Sequence, residues 1–426
     1  MKERIAIVKG VRTPFCKGGG VLRNILADDL GAYAVKELAA RLSIDPELID
    51  EVILGNVLQP SHATNIARVI AVKAGLPEKI PAYTVNRNCA SGMEAVISAA
   101  DRIWLDHASI IIAGGVESMS NFPILFPEKM RDVLQNFKQA KSFKQKLRAF
   151  AKLRPSLFVP QMPGIFDPLC GLSMGQTAEI LSREFKITRE EQDQFALRSQ
   201  LKAAKAMQDG RFNEEIVPVP LPKDYSKMQF EDEGPRANQT LEALAKLPPV
   251  FDRVTGSVTA GNSSPITDGA VALMIMSESK AKELGLKPLG YLLDYAAAGL
   301  DPSRMGLGPV YAIAKLLERT GKKLAEIDLI EINEAFAAQV LAVQKAAASE
   351  EFAKKYLGRN EPVGVIDTEK LNVNGGAIAL GHPLGASGAR LILTLLLELR
   401  KHNKKFGIAA LCVGGGMGEA CLLEVE

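Results

Sequence analysis

The chain has 426 residues, 47% hydrophobic and 24% charged, with 52 basic and 49 acidic side chains and a formal net charge of +3. These values belong to folded globular proteins and exclude disordered and fibrous classes. At roughly 100 to 200 residues per domain the length predicts two or three domains around a large core, and so small a charge gives no global field for nucleic acid.

In chain order, apolar runs and helical periodicity predict strand 5–8, helix 27–42, strand 51–54, helix 92–105, strand 110–113, helix 190–208 and strand 270–276. Helix 311–320, strand 329–332, helices 334–347 and 387–401, and strands 408–411 and 421–425 follow. Strands alternating with helices indicate an α/β fold with covered sheets. The first strand follows the N-terminus directly, without the longer apolar stretch of a secretory signal, so a cytoplasmic location is expected. The longest near-apolar run, 391–399, is shorter than the roughly 18 residues a membrane-spanning helix needs.

The two halves repeat. Residues 30–55 read as helix and then Ile49-Asp50-Glu51-Val52-Ile53, while 307–333 read as helix and then Ile327-Asp328-Leu329-Ile330-Glu331. Ala90-Ser91-Gly92 opens a helix leading to Ala113-Gly114-Gly115, and Ala386-Ser387-Gly388 opens one leading to Val413-Gly414-Gly415. Matches in the same order imply a duplicated α/β unit. The stretch 122–266 has no counterpart and reads as an inserted loop domain. The expected division is 1–121 plus 267–287, the insert 122–266, and 288–426.

Within the insert, 129–154 carries nine basic residues and one acid, Asp132, with Val133, Leu134, Phe137, Phe143, Leu147 and Phe150 at loosely helical spacing. It reads as a solvated basic face with an apolar underside, as a partner-docking or membrane-surface helix, or as a site for acidic substrate groups.

Five cysteines, scattered and in no Cys-x-x-Cys arrangement, argue against a disulfide framework and a zinc site, leaving reactive thiols open. Cys89, in Asn88-Cys89-Ala90-Ser91-Gly92, stands where a strand or loop turns into a helix. Free N–H groups there lower a thiol pKa and can hold an oxyanion; the alternative is a small buried apolar cysteine. Of the four histidines, His382 alone lies in a tight Gly/Pro cradle, Gly381-His382-Pro383-Leu384-Gly385, and is the candidate acid/base. Cys412 precedes Val413-Gly414-Gly415-Gly416, either a backbone N–H nest or a plain hairpin turn. Asn333 stands at a strand-to-helix junction, as an N-cap or as a neutral donor acting through water. No P-loop and no G-x-G-x-x-G fingerprint is present, which excludes the common nucleotide-binding classes.

Taken together, Asn88-Cys89-Ala90-Ser91-Gly92, Asn333-Glu334-Ala335-Phe336-Ala337, Gly381-His382-Pro383-Leu384-Gly385 and Cys412-Val413-Gly414-Gly415-Gly416-Met417-Gly418 resemble the four signature blocks of the thiolases. The similarity also takes in Arg12-Thr13-Pro14-Phe15, Gly114-Gly115-Val116-Glu117-Ser118-Met119-Ser120 and Thr259-Ala260-Gly261-Asn262-Ser263-Ser264. The resemblance implies duplicated αβαβα layers with a loop domain that binds coenzyme A. It makes Cys89 the acyl-carrying nucleophile, and His382 the base that takes its proton and helps hold the thioester oxygen. Cys412 becomes the acid/base at the α-carbon. Asn333 holds a water that completes the first oxyanion site, and the N–H groups of Cys89 and Gly414 form the second. Ser264 and Met174 are expected to line the pantetheine tunnel.

Two features bear on subfamily. Ser173 stands where the family often has histidine, and 129–154 followed by 155–163 resembles the longer loop of thiolases that serve as β-subunits of fatty-acid oxidation complexes. Those relatives often have histidine where this chain has Asn333. The implied activity is cleavage of a 3-ketoacyl-CoA by CoA, with the biosynthetic condensation of two acetyl-CoA molecules as the alternative. A decarboxylating ketoacyl synthase would need a second catalytic histidine where Cys412 or Asn333 stands, and a transfer or scaffold protein would be favoured by a broken block; all four are intact. CoA and acyl-CoA are the expected ligands, with no tightly bound cofactor, metal or nucleic acid. A homodimer or homotetramer is expected, with a hydratase/dehydrogenase α-subunit or a membrane as a further partner.

Overall fold

The computed structural model describes residues 3–42, 44–159, 166–222 and 224–426. The first part of the chain forms β1 (Ile5–Arg12), β2 (Cys16–Lys17), α1 (Ala27–Arg41), β3 (Glu51–Gly55), α2 (Ile66–Lys73), β4 (Ala82–Val85), α3 (Ser91–Trp104) and β5 (Ile110–Ser118). The chain then leaves the main sheet for α4 (Glu128–Gln139), α5 (Phe143–Phe150), α6 (Met174–Glu184), α7 (Arg189–Gln208), β6 (Val219–Pro220), β7 (Met228–Gln229) and α8 (Leu241–Ala245). It returns with β8 (Thr267–Ser277), α9 (Glu278–Glu283), β9 (Gly290–Gly299), α10 (Gly308–Thr320) and β10 (Leu329–Ile332). The last elements are α11 (Ala337–Ala347), α12 (Glu350–Phe352), α13 (Ala377–Leu380), α14 (Leu384–Lys401), β11 (Phe406–Val413) and β12 (Met417–Glu424).

The main sheet runs β10-β11-β12-β9-β1-β8-β5-β3-β4, with β2 paired to β8. The duplication is visible in this order. Parallel β3 and β5 continue into antiparallel β8 and β1, and parallel β10 and β11 continue into antiparallel β12 and β9. The two series meet where Ile5–Ile7 pairs with Gly290–Leu292.

Alternating side chains set the layers. Ile5 and Ile7 of β1, with Ile111 and Ala113 of β5, face a core shared with α3 and α14. Ala6, Val8, Ile110 and Ile112 face α1 and α2 on the opposite side. In the second series, Ala409, Leu411 and Val413 of β11 face α14, whereas Ile408 and Ala410 face α10 and α11. The result is five layers: α1/α2, one half-sheet, α3 with α14, the other half-sheet, and α10/α11.

The middle layer depends on glycine. A Cβ at Gly92 of α3 would sit 2.6 Å from the Gly385 carbonyl oxygen, and one at Gly388 of α14 would sit 2.5 Å from the Met93 nitrogen. Only hydrogen fits at these close approaches, so the two helices touch backbone to backbone. Both helices begin at candidate site segments, and this contact packs their first turns together.

Several boundaries differ from the sequence reading. The helix expected over 334–347 starts at Ala337, because the preceding residues stay extended: Phe336 bridges to Ser263 and the Ala337 N–H is taken by the Asn262 carbonyl. The basic stretch 129–154 is two helices rather than one, since Ser142 starts α5 with a capping box to Gln145. Of the 155–163 segment, residues 160–163 lie outside the described residues. Strands β4 and β9 and helices α2 and α6 were not anticipated. Among the described residues no helix is long and apolar enough to cross a membrane.

Candidate active site

Cys89 lies between β4 and α3. Asn88 before it takes a left-handed conformation, φ +45, which asparagine tolerates better than most residues. The Asn88 side-chain amide donates to the Gly414 carbonyl at 2.8 Å, tying the segment ahead of Cys89 to the turn that follows β11. Burial pushes the Cys89 thiol up to about 11; hydrogen bonds from the Gly414 N–H and from its own N–H pull against that rise. The helix terminus therefore does not yield the lowered thiol expected from sequence. Desolvation outweighs the N–H donors.

His382 sits between α13 and α14, buried at 5% exposure. Gly381 before it has φ +104, and a side chain there would strike Thr267; the Thr267 hydroxyl accepts the His382 N–H at 3.1 Å. On the ring, Nδ1 lies 2.6 Å from Ser387 Oγ, and Ser387 donates its own proton to the Pro383 carbonyl at 2.9 Å. The network assigns the ring proton to Nδ1. Nε2 then carries the ring's lone pair and accepts from Asn333 Nδ2 at 3.3 Å. Burial, reinforced by the nearby Arg390 cation, lowers the imidazole to about 3, so it is a neutral base near pH 7.

Asn333 ends the β10 segment, fully buried, with its N–H on the Ala410 carbonyl. It is not an N-cap, because α11 starts four residues later. Its Oδ1 is buried without a partner, an acceptor with capacity for an N–H or O–H donor.

Cys412 is the next-to-last residue of β11, opposite Gly418 and 1% exposed. It packs with Met174, Ala335, Phe336 and Phe251; burial, and then the neighbouring Cys89, push its thiol upward. The run Gly414-Gly415-Gly416 is the turn of the β11–β12 hairpin, with φ +90 and +76 at the last two positions. The Gly414 N–H is also one of the donors that oppose the rise of the Cys89 thiol.

Met174 opens α6, and its sulfur lies 3.5 Å from where a Gly414 side chain would begin. Ser264 precedes β8 and joins its N–H to the Ala335 carbonyl at 3.0 Å. The structure thus gathers Cys89, Gly414 and Met174 at one point and His382 with Asn333 at another, while Ser264 and Cys412 border the Ala335–Phe336 segment. His62 pairs with Asp28 and His402 with Glu398. Among the described residues no cluster could hold a metal ion.

Sequence reasoning missed three polar groups. Ser387 was seen only as a helix opener, although its spacing from His382 allows the contact just described. Glu117, fully buried, accepts from the N–H groups of Val57, Leu58 and Gly385 and from Asn56. Burial raises it to about 7 against those donors. It lies in the quoted Gly114–Ser120 segment, but nothing local disclosed its role. Asp167, in the insert, accepts the Gly415 N–H at 2.8 Å, a contact with no sequence signal.

Residues 5–279 match the family described as thiolase, N-terminal domain, and residues 286–425 match thiolase, C-terminal domain. The chain is 44% identical over 425 residues to a 3-ketoacyl-CoA thiolase of Yersinia enterocolitica, covering 100% of this chain and 97% of the relative. Among solved structures it is similar to the Bacillus anthracis acetyl-CoA acetyltransferase, at a TM-score of 0.87 and 40% identity over 99% of both chains. It is also similar to the human mitochondrial 3-ketoacyl-CoA thiolase in complex with CoA, at a TM-score of 0.84 and 37% identity over 100% of this chain and 98% of that one. With both family domains matched in order along nearly the whole length, the chain belongs to the thiolase family.

Proposed function

We propose that the protein is a 3-ketoacyl-CoA thiolase, using CoA to cleave a 3-ketoacyl-CoA into acetyl-CoA and a shortened acyl-CoA. The observation that carries this reading is the bond from the Asn88 side chain to the Gly414 carbonyl at 2.8 Å, which joins the Cys89 segment of one half to the glycine turn of the other.

In the forward direction His382 Nε2 takes the Cys89 proton, and the thiolate attacks the 3-keto carbon. Cleavage of the bond between the α-carbon and that carbon leaves an acyl group on Cys89 and an enolate of acetyl-CoA. The protonated His382 and a water on Asn333 hold the enolate oxygen, and Cys412 protonates the carbon. The Cys412 thiolate then takes the proton of the CoA thiol, and the CoA sulfur attacks the acyl-Cys89 thioester. Its oxyanion is held by the N–H groups of Cys89 and Gly414, and Cys89 leaves as a thiolate that regains its proton from His382. Ser264 and Met174 line the passage for the pantetheine arm. No metal or bound cofactor enters these steps.

A thiol and an imidazole that are both neutral near pH 7 support this order. The charge separation develops only when the proton moves, and the substrate thioester oxygen then meets a fresh N–H donor on His382. Trapping tests the reading: with 3-ketoacyl-CoA and no CoA, peptide mass spectrometry should find the shortened acyl group on Cys89. An acyl group on another residue would contradict it.

The biosynthetic direction, condensing two acetyl-CoA molecules on the same residues, is the second reading; the similarity to the Bacillus anthracis acetyl-CoA acetyltransferase favours it. For the degradative reading the setting is fatty-acid β-oxidation, as a cytoplasmic homodimer or homotetramer. The α4–α5 surface exposes Leu134, Phe143, Leu147 and Phe150 among its basic side chains, which suits docking of a hydratase/dehydrogenase α-subunit. Co-purification that persists unchanged after charge reversal of Lys141, Lys144 and Lys146 would count against that role.

A further inference from the structure

The peptide unit between Gly414 and Gly415 is held at both ends. Its carbonyl oxygen accepts from Asn88 Nδ2 at 2.8 Å, and its N–H donates to Asp167 Oδ2 at 2.8 Å. Asn88 belongs to the nucleophile segment and Asp167 to the insert, so three distant parts of the chain meet on one peptide plane.

Asp167 is built for this task. It is 4% exposed, and its other oxygen accepts the Leu169 N–H at 2.8 Å. Its own N–H and carbonyl close a tight loop with Leu172 and Gly171, each at 2.8 Å, and Phe166 bridges to Ser173 across the base of that loop. Ser173 in turn caps α6, which begins at Met174 against Gly414. The carboxylate is therefore fixed before it meets the turn.

The turn, by contrast, has little rigidity of its own. Three consecutive glycines lack the side chains that restrict φ and ψ, and the last two already occupy left-handed space. Rotation of the 414–415 peptide would bring its carbonyl oxygen toward the Asp167 carboxylate and withdraw the acceptor from Asn88. A carboxylate accepts an N–H and repels a carbonyl, so it selects one of the two peptide orientations.

We propose that Asp167 is a positioning residue that locks the Gly414–Gly415 peptide, so that the adjacent Gly414 N–H stays aimed at the Cys89 sulfur. Seating of the insert and assembly of the second oxyanion site are thereby one event. The role assigned to Gly414 rests on the thiolase reading; the lock itself is a property of the chain's own residues.

The test compares full-length wild type with Asp167→Ala and the nearly isosteric Asp167→Asn, which carries the test if the alanine variant does not fold. Asparagine has one acceptor oxygen and cannot serve both Leu169 and Gly415. The readouts are kcat and KM for thiolysis, and the pH dependence of Cys89 alkylation by iodoacetamide without substrate. The expected result is a fall in kcat of about 10- to 100-fold with KM for CoA within about threefold, and an alkylation profile displaced to higher pH, more for alanine than for asparagine. A kcat within about twofold of wild type with an undisplaced profile, or a raised KM at unchanged kcat, would overturn the proposal. If wild type itself fails to cleave any 3-ketoacyl-CoA, the thiolase reading fails while the alkylation profiles still decide the lock.

Discussion

His382 Nδ1 lies 2.6 Å from the Ser387 hydroxyl, whose proton is committed to the Pro383 carbonyl. Ser387 can then only accept from the ring, so it fixes which nitrogen carries the proton and leaves Nε2 basic. Ser387→Ala releases that constraint without removing the base. We expect kcat to fall about tenfold and unfolding stability to drop by about 1 kcal/mol, measured by steady-state thiolysis and denaturant titration. Unchanged kcat would show that the ring keeps its tautomer without the serine.

The buried imidazole links stability to pH. Its folded value of about 3 lies below the roughly 6.5 of an unfolded histidine, so between these values the unfolded chain binds the extra proton. The stabilisation from keeping the ring neutral is fully present above about pH 6.5 and is lost as pH falls toward 3, at up to about 1.4 kcal/mol per pH unit. His382→Asn should flatten this part of the acid unfolding curve, followed by circular dichroism. An identical slope in the variant would mean that the ring is protonated in the folded protein.

The Cys89 thiol, held up at about 11, is protonated near neutrality. Its alkylation by iodoacetamide should be slow at pH 7 and climb about tenfold per pH unit over the alkaline range, in contrast to a preformed thiolate–imidazolium pair. A plateau between pH 6 and 8, followed by mass spectrometry of the Cys89 peptide, would contradict this.

The contact between α3 and α14 predicts a coupled loss. Gly92→Ala and Gly388→Ala each insert a methyl against backbone of the facing helix. Each should cost about 1–3 kcal/mol of stability and lower kcat at the same time, because the helices carry the Cys89 and His382 segments at their N-termini. Loss of stability with full kcat would show that the site tolerates movement of the helices.

What the sequence made legible follows from the strength of local signal. Strands β5 and β8 are buried along nearly their whole length and announce themselves as apolar runs, while α14 shows a long helical pattern. Glycine-lined junctions at Cys89, His382 and Gly414 mark positions where backbone must bend or approach closely. Strand β9, Gly-Tyr-Leu-Leu-Asp-Tyr-Ala-Ala-Ala-Gly, has neither a clean alternation nor a β-branched run, so only its pairing with β12 and β1 reveals it. The start of α11 was misplaced because residues 335–337 obey tertiary bonds to the 262–264 loop rather than local propensity. Ser387, Glu117 and Asp167 act through neighbours remote in sequence or across a helix turn, and no local pattern encodes such partners. The thiol of Cys89 was read with the wrong sign because burial is a property of the assembled fold.

The central claim is tested most directly by CoA-dependent cleavage of 3-ketoacyl-CoA substrates from four carbons upward, with Cys89→Ser as control. The account predicts cleavage that extends to the longer chains and disappears in the variant. Cleavage confined to acetoacetyl-CoA would instead support the biosynthetic reading, and no cleavage at any length by a protein that binds CoA would contradict the account.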